Sequence, residues 1–312
     1  MSVLAVDVGG TKIAVGLVDD DGAVLRSARA PTGADPWSVL AGLAAEMTAG
    51  VGVSAVGIGC GGPMDWRAGV VHPLNLPAWR DGFPLRQRLH ELYPGVPVRL
   101  HNDAVCMAVG EHWVGAGRGV ADLLGMVVST GVGGGLVLGG RLVDGANGNA
   151  GHIGHVQVDP AGPWCACGRQ GCLEAVARGP AVVAWARERG STAGDGRQLA
   201  AEAAAGDPLA VAALARAGAA VGQAVASTAA LLDLTLVTVG GGLSQAGPPF
   251  WDALHAAVRE QARLGYLAGL RVVPAALGQE AGLVGAAALV LRGDLYWSGE
   301  APTAGAVPDC SP

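Results

Sequence analysis

Lys12 is the only lysine in this chain of 312 residues, and nineteen arginines supply the rest of its basic side chains. No cluster of basic residues occurs and the formal net charge is −6, a balance that argues against nucleic acid as a partner. Nor does a cationic run precede the apolar stretch Val3 to Val6, so the opening residues do not read as a secretory leader and the expected compartment is the cytoplasm. An uninterrupted apolar run is missing as well. The mean hydropathy of +0.39 comes from Ala, Val, Leu and Gly spread along the chain. The longest apolar stretch, Pro208 to Leu232, is broken by Arg216, Gly218, Gly222, Gln223, Ser227 and Thr228, which favours a buried helix over a membrane span. Aromatic residues are scarce: eight tryptophans, three tyrosines and two phenylalanines. Glycine, at fifty-two, is abundant, so tight turns and small side chains dominate. A composition that uses arginine everywhere else yet keeps one lysine beside a glycine turn hints at a local task for that ammonium, with chance retention as the alternative.

Three of the six cysteines fall in the segment from Asn149 to Glu174. His155, Cys165, Cys167 and Cys172 together offer one imidazole and three thiolates, a full tetrahedral set for zinc with no position left for a catalytic water. The C-x-C-x₄-C spacing, with Gly162, Pro163, Gly168 and Gly171 as turn residues, suits a loop folded around an ion. Buried thiols beside an unrelated histidine are the alternative. A disulfide is disfavoured because cysteines one residue apart pair poorly. Cys60, Cys106 and Cys310 have no evident partners and are expected to be reduced.

The order of elements points to α/β architecture. Val3 to Val6 and Ile13 to Val18 read as strands joined at Gly9-Gly10, with a further turn at Asp21-Gly22. A helix is predicted over Pro36 to Gly50, a buried strand over Ala55 to Gly59, a helix over Phe83 to Tyr93 and a strand over Val96 to Leu100. A second strand-rich segment follows at Leu123 to Val128, Gly135 to Leu138 and Arg141 to Asp144. Helices are then predicted at Pro180 to Arg189 and Pro208 to Leu232, a strand at Thr235 to Val239, and helices at Pro248 to Arg263 and Glu280 to Leu291. Residues 293–312 read as a loose tail. Two halves that each open on a glycine-turned hairpin resemble the actin-like ATPase (ribonuclease H-like) fold, two α/β domains flanking a cleft. The expected division is 1–115, completed by the helix at about 280–292, and 116–280 with the zinc loop.

Three glycine turns follow strands. DVGGTK at Asp7 to Lys12 lets backbone N–H groups approach phosphate oxygens while a carboxylate at the strand end can hold Mg²⁺ through water. It lacks the spacing of a Walker A loop and no helix follows it, so a plain hairpin turn is its alternative. STGVGGG at Ser129 to Gly135 and GGGLS at Gly240 to Ser244 are the other two, the last suited to close backbone approach to a nucleotide. HND at His101 to Asp103 ends a strand and starts a helical pattern. Asp103 there is either an N-cap or a base that takes the proton of a hydroxyl attacking a phosphoryl group.

DVGGTK, GIGCGGPMD at Gly57 to Asp65, NLPAW at Asn75 to Trp79, HND, STGVGGG, AGHIGH, CACGRQGCLE, GGG and EAGLVGAA, in order from residue 3 to about 292, together resemble the ROK family (repressor, open reading frame, kinase). The resemblance implies phosphorylation of a hexose or amino sugar at the 6-hydroxyl with ATP and Mg²⁺ in an actin-like fold containing structural Zn²⁺. It implies Asp103 as the base. Gly62, Asn102, His152, His155 and Glu174 would face the sugar. Asp7, Gly9, Gly10, Thr11, Lys12, Thr130, Gly131, Gly241 and Gly242 would face the nucleotide. Dimers or tetramers are expected by the same resemblance. A regulator of the family would need a helix-turn-helix ahead of Val3, where two residues leave no room. Two departures bear on the substrate: the usual PGP is Gly61-Gly62-Pro63 here, and His152 stands where glucokinases of the family carry Glu. The histidine resembles bacterial N-acetylmannosamine kinases, so an amino sugar of that type is slightly favoured, with glucose the alternative.

Overall fold

The computed structural model describes residues 2–298. Strands β1 (Ser2–Val8), β2 (Lys12–Val18) and β3 (Val24–Pro31) form an antiparallel meander. Helix α1 (Pro36–Thr48) follows, started by Asp35, whose carboxylate accepts from the Ser38 N–H, and by Pro36, whose missing N–H costs nothing in a first turn. Next come β4 (Val53–Cys60), a two-residue hairpin of β5 (Met64–Asp65) and β6 (Val70–Val71), α2 (Leu85–Leu92) and β7 (Val98–Asn102). The sheet runs β3-β2-β1-β4-β7, with β4 and β7 added in parallel.

Helix α3 (Asp103–Trp113) leads to β8 (Leu123–Val128), β9 (Val132–Leu138) and β10 (Arg141–Leu142). After the cysteine loop come α4 (Leu173–Ala177), α5 (Gly179–Arg187), α6 (Gly196–Ala204) and α7 (Pro208–Leu232). The chain then passes through β11 (Leu236–Gly240), α8 (Pro248–Gln261), β12 (Arg271–Pro274), α9 (Ala281–Leu291) and α10 (Gly293–Tyr296). This second sheet runs β10-β9-β8-β11-β12, again two antiparallel pairings followed by two parallel ones. The same five-strand plan thus occurs twice, which is the actin-like ATPase fold expected from the repeated glycine hairpins.

Helices occupy the space between and outside the sheets. α9 packs on β1 and β4 of the first sheet and on α3, which in turn lies against β8 and β9 of the second. The contact is main chain to main chain: a Cβ on Gly285 would lie 1.6 Å from the Cys106 carbonyl oxygen. Glu111 on α3 is fully buried yet satisfied, because its carboxylate accepts from the N–H groups of Ala116, Ala276 and Leu277 at 2.8–3.0 Å. It thereby ties α3 to the segment leading into α9. α7 is the one described helix long and apolar enough to cross a membrane. Its centre is packed in the core of the second half, and a Cβ on Gly218 would lie 2.1 Å from the Phe250 carbonyl oxygen of α8. The glycines that interrupt the apolar run are therefore where a neighbouring helix approaches.

Several elements depart from the sequence reading. β7 runs two residues further than expected and carries His101 and Asn102 inside the strand. The short elements β5, β6, β12, α4 and α6 were not expected. The tail expected to be loose from residue 293 begins instead with α10, where Tyr296 is buried and its hydroxyl lies 2.6 Å from Nδ1 of His112. The remainder of that tail, with Cys310, falls outside the described residues.

Candidate active site

Strand register brings the first residues together. Asp7 on β1 pairs with Gly59 on β4, and Gly59 pairs with His101 on β7, so the three stand side by side where parallel strands end. Open α/β sheets bind ligands at such carboxyl ends. One residue beyond, Asn102 caps α3 by accepting from the Ala104 N–H at 3.0 Å. Asp103 is thus not the N-cap but the first helical residue, and its Oδ1 accepts from the same N–H at 2.8 Å. Its other oxygen faces the Gly61 loop, where a Cβ would lie 3.9 Å from Oδ2. Burial raises the pKa of Asp103 above the usual carboxylate range, against the lowering effect of the Ala104 N–H.

Asp7 is pushed up to about 7, first by burial and then by the charge of Asp103, with Lys12 acting the other way. Its carboxylate accepts no hydrogen bond from a described residue. The turn after it is closed by Gly9 N–H donating to the Lys12 carbonyl at 2.9 Å. Thr11 is exposed. Lys12 Nζ donates to Oε1 of Gln279, 2.5 Å away, just ahead of α9. Gly10 abuts Asn75: a Cβ on Gly10 would lie 2.6 Å from the Asn75 carbonyl oxygen, and one on Gly61 3.3 Å from Asn75 Oδ1. Asn75 therefore joins the first glycine turn to the loop of Gly61 and Gly62. NLPAW belongs to the motifs that carry the resemblance, but nothing in the sequence alone gives Asn75 a place at the site.

Gly62, Asn102 and His152 converge. A Cβ on Gly62 would lie 3.0 Å from Asn102 Nδ2 and 3.8 Å from Cε1 of His152. His152 stacks on His155, with ring centroids 6.1 Å apart and planes 12° from parallel. Burial, followed by the neighbouring His155, lowers the pKa of His152, so it is mostly neutral at pH 7. Glu174 on α4 accepts from the Val132 N–H at 2.9 Å, which seats α4 on the second glycine turn beside Gly131. Thr130 is exposed at the tip of that turn. Gly241 has φ of 89° and a Cβ there would lie 2.5 Å from the Val128 carbonyl oxygen, while one on Gly242 would lie 3.7 Å from Ser129 Oγ. The second and third glycine turns are therefore neighbours at one end of the second sheet.

The cysteine loop gathers four side chains that could hold a metal ion. The candidate ligand atoms of His155, Cys165, Cys167 and Cys172 all lie within 4.8 Å of one another. Cys165 Sγ stands 3.7 Å from His155 Nδ1, and Cys167 Sγ 3.7 Å from Cys172 Sγ. Zn–S bonds of about 2.3 Å put two tetrahedral ligands about 3.7 Å apart, so the loop already has the edge length that zinc demands. The nitrogen nearest the thiols is Nδ1, which leaves Nε2 of His155 uncommitted.

Two further features of the site went unread in the sequence. His101 and Asp144 form a buried pair, Nε2 to Oδ1 at 2.9 Å. Gly282 at the start of α9 lies on the carboxylate of Asp7. Only the strand-end position of His101 was available as a signal for the first; the second depends on a contact between the two ends of the chain.

Similarity to known proteins runs along nearly the whole chain. Residues 3–293 match the family model described as ROK family. The chain belongs to the ROK family. It is 34% identical over 317 residues to a glucokinase of Streptomyces coelicolor, covering 93% of this chain and 98% of the relative. It is 36% identical over 303 residues to an N-acetylmannosamine kinase of Citrobacter koseri, covering 94% and 100%. Among solved structures, a ROK family glucokinase from Streptomyces griseus in complex with glucose and AMPPNP superposes with a TM-score of 0.81 at 35% identity, over 93% of this chain and 99% of the other.

Proposed function

We propose that this ROK protein is an ATP-dependent sugar kinase that phosphorylates the 6-hydroxyl of a hexose or amino sugar, with Asp103 as its general base. The observation that carries this reading is the placement of Asp103, half-buried beside the Gly61 and Gly62 loop and within electrostatic reach of Asp7. A carboxylate whose pKa is raised by burial is a better proton acceptor than a solvated one. The sugar hydroxyl attacks the γ-phosphorus, its proton passes to Asp103, and the bond from that phosphorus to the departing ADP oxygen breaks.

Asn102 spends its Oδ1 on the cap of α3, which leaves its Nδ2 free to donate to a sugar hydroxyl beside Gly62. His152 and the free Nε2 of His155 line the same space, and Glu174 closes it from α4. Gly9, Gly10, Thr11, Thr130, Gly131, Gly241 and Gly242 form the nucleotide side, with Lys12 at its margin. The unpartnered carboxylate of Asp7 fits Mg²⁺, which would supply charge neutralisation to the phosphates when bound. The His155, Cys165, Cys167 and Cys172 set fits zinc, which would stabilise the loop that presents His152.

For the sugar, His152 favours an amino sugar of the N-acetylmannosamine type. A neutral imidazole offers one donor and one acceptor where a carboxylate only accepts. Relatives named for glucose and for N-acetylmannosamine stand at nearly equal identity, and glucose is the second reading. A coupled ADP-release assay over a panel of hexoses and N-acetylated amino sugars tests both levels. Phosphorylation of none of them would overturn the kinase reading, and strong preference for glucose would overturn the amino-sugar one.

A further inference from the structure

Behind the proposed sugar site stand three side chains with no role in the chemistry above: His101 and Asp144, which are buried, and Ser298, at the surface. β7 is the edge of its sheet, so one side of its main chain lacks a strand partner. The N–H of Asn102 donates to Nδ1 of His101 at 2.8 Å. Because a main-chain N–H can only donate, that Nδ1 must be the unprotonated nitrogen, and the ring proton sits on Nε2. Nε2 faces Oδ1 of Asp144 at 2.9 Å, and both side chains are buried. The second oxygen of Asp144 accepts from the hydroxyl of Ser298. Trp66 stacks on the His101 ring at 6.0 Å and meets the edge of Trp297 at 5.3 Å. His101 is thus fixed in tautomer by Asp144, in plane by Trp66, and in depth by the segment after α10.

We propose that His101 is a positioning residue of the sugar site, holding the main chain at Asn102, and that Trp297 and Ser298 act as a latch that keeps it there. The inference rests on the sugar-kinase reading above and deepens it. Asn102 has two duties that depend on where its backbone stands: Oδ1 caps the helix that begins with Asp103, and Nδ2 faces the Gly62 loop. Among the described residues, no hydrogen bond or ring contact joins this row of side chains to the nucleotide turns. A loosened His101 therefore weakens recognition of the sugar while leaving ATP recognition nearly unaltered.

Steady-state kinetics of three variants test this. In His101→Asn the amide oxygen falls near the place of Nδ1 and still accepts from Asn102. In His101→Gln the amide reaches toward Asp144 and leaves the Asn102 N–H without its acceptor. The expected result is a sugar KM raised about tenfold in the Gln variant, with the KM for ATP within about twofold of wild type and recovery of most of the loss in the Asn variant, as removal of one buried acceptor predicts. Ser298→Ala should raise the sugar KM by a smaller factor of about two to five. Equal rises in both KM values, or no difference between the Asn and Gln variants, would overturn the proposal. ¹⁵N NMR of labelled histidine in the wild-type protein without substrate gives an independent check, since the His101 ring must appear as the Nε2–H tautomer. Failure of the wild type to phosphorylate any sugar would sink the kinase reading and leave the tautomer result standing, so the two failures are distinguishable.

Discussion

A Cβ placed on Gly282 would sit 2.7 Å from Oδ2 of Asp7, so the first turn of α9 lies directly on the carboxylate that ends β1. This contact keeps water off one side of the group and belongs to the burial that pushes its pKa up to about 7. The folded protein therefore holds a proton on Asp7 that the unfolded chain, titrating near 3.8, has already released. Stability from this group is fully present below about pH 4 and is lost as pH rises through 7. Asp7→Asn removes the loss. Above pH 7 the variant should be more stable by about 1–3 kcal/mol, a value discounted for the partial exposure of the side chain, with the gap closing toward pH 4. Urea unfolding at several pH values reads the gap, and a difference that does not widen from pH 5 to pH 8 would contradict the assignment. Activity of the same variant should be largely lost, since the place proposed for Mg²⁺ no longer carries charge.

Asp103→Asn should keep the fold and sugar binding but lower kcat by about 10²- to 10⁴-fold, the usual contribution of a positioned base. The amide can still accept from the Ala104 N–H, so α3 keeps its start. Calorimetric sugar titration together with the coupled assay separates the two effects. Near wild-type kcat would remove Asp103 from the mechanism.

For the cysteine loop, Cys167→Ser is expected to lose zinc and lower the melting temperature together, because the binding energy of a structural ion is folding energy. Elemental analysis of freshly purified protein and a thermal melt check the pair. A wild type that purifies without zinc, or a metal-free variant with an unchanged melt, would go against it.

His152→Glu should shift kcat/KM toward glucose and away from N-acetylmannosamine by about tenfold, within the 1–3 kcal/mol that a buried hydrogen-bond mismatch costs. Zinc content should stay the same, since His155 presents Nδ1 to the thiols while His152 stacks behind it. Metal lost from this variant would mean that the wrong histidine had been named as ligand.

Much of this arrangement was legible in the sequence, for identifiable reasons. The strand hairpins of both halves announce themselves through apolar runs that stop at glycine pairs, and α7 through the long apolar stretch that opens at Pro208. The clustering of His155 with Cys165, Cys167 and Cys172 is local, and local spacing is what sequence reports well. α6 was missed because Asp195 and Gly196, which look like a turn, are in fact its cap and first residue, with Asp195 accepting from two N–H groups. What sequence could not report are contacts between distant segments: Asn75 against Gly10, Gly282 on Asp7, and His101 with Asp144 and Ser298. Each pairs residues 43 or more positions apart, and each is decided by which helix or loop lands on a strand end, a property of the assembled fold.

The single lysine has a practical consequence. Lys12 is exposed at the first glycine turn and joined to Gln279 only by one surface hydrogen bond. An acylating reagent will find one side-chain amine on this protein, besides the α-amino group, and that amine stands at the mouth of the proposed nucleotide site. Mass added at residue 12 becomes a footprint of that turn alone, and the rate at which ATP slows the labelling reads nucleotide occupancy without any engineered handle.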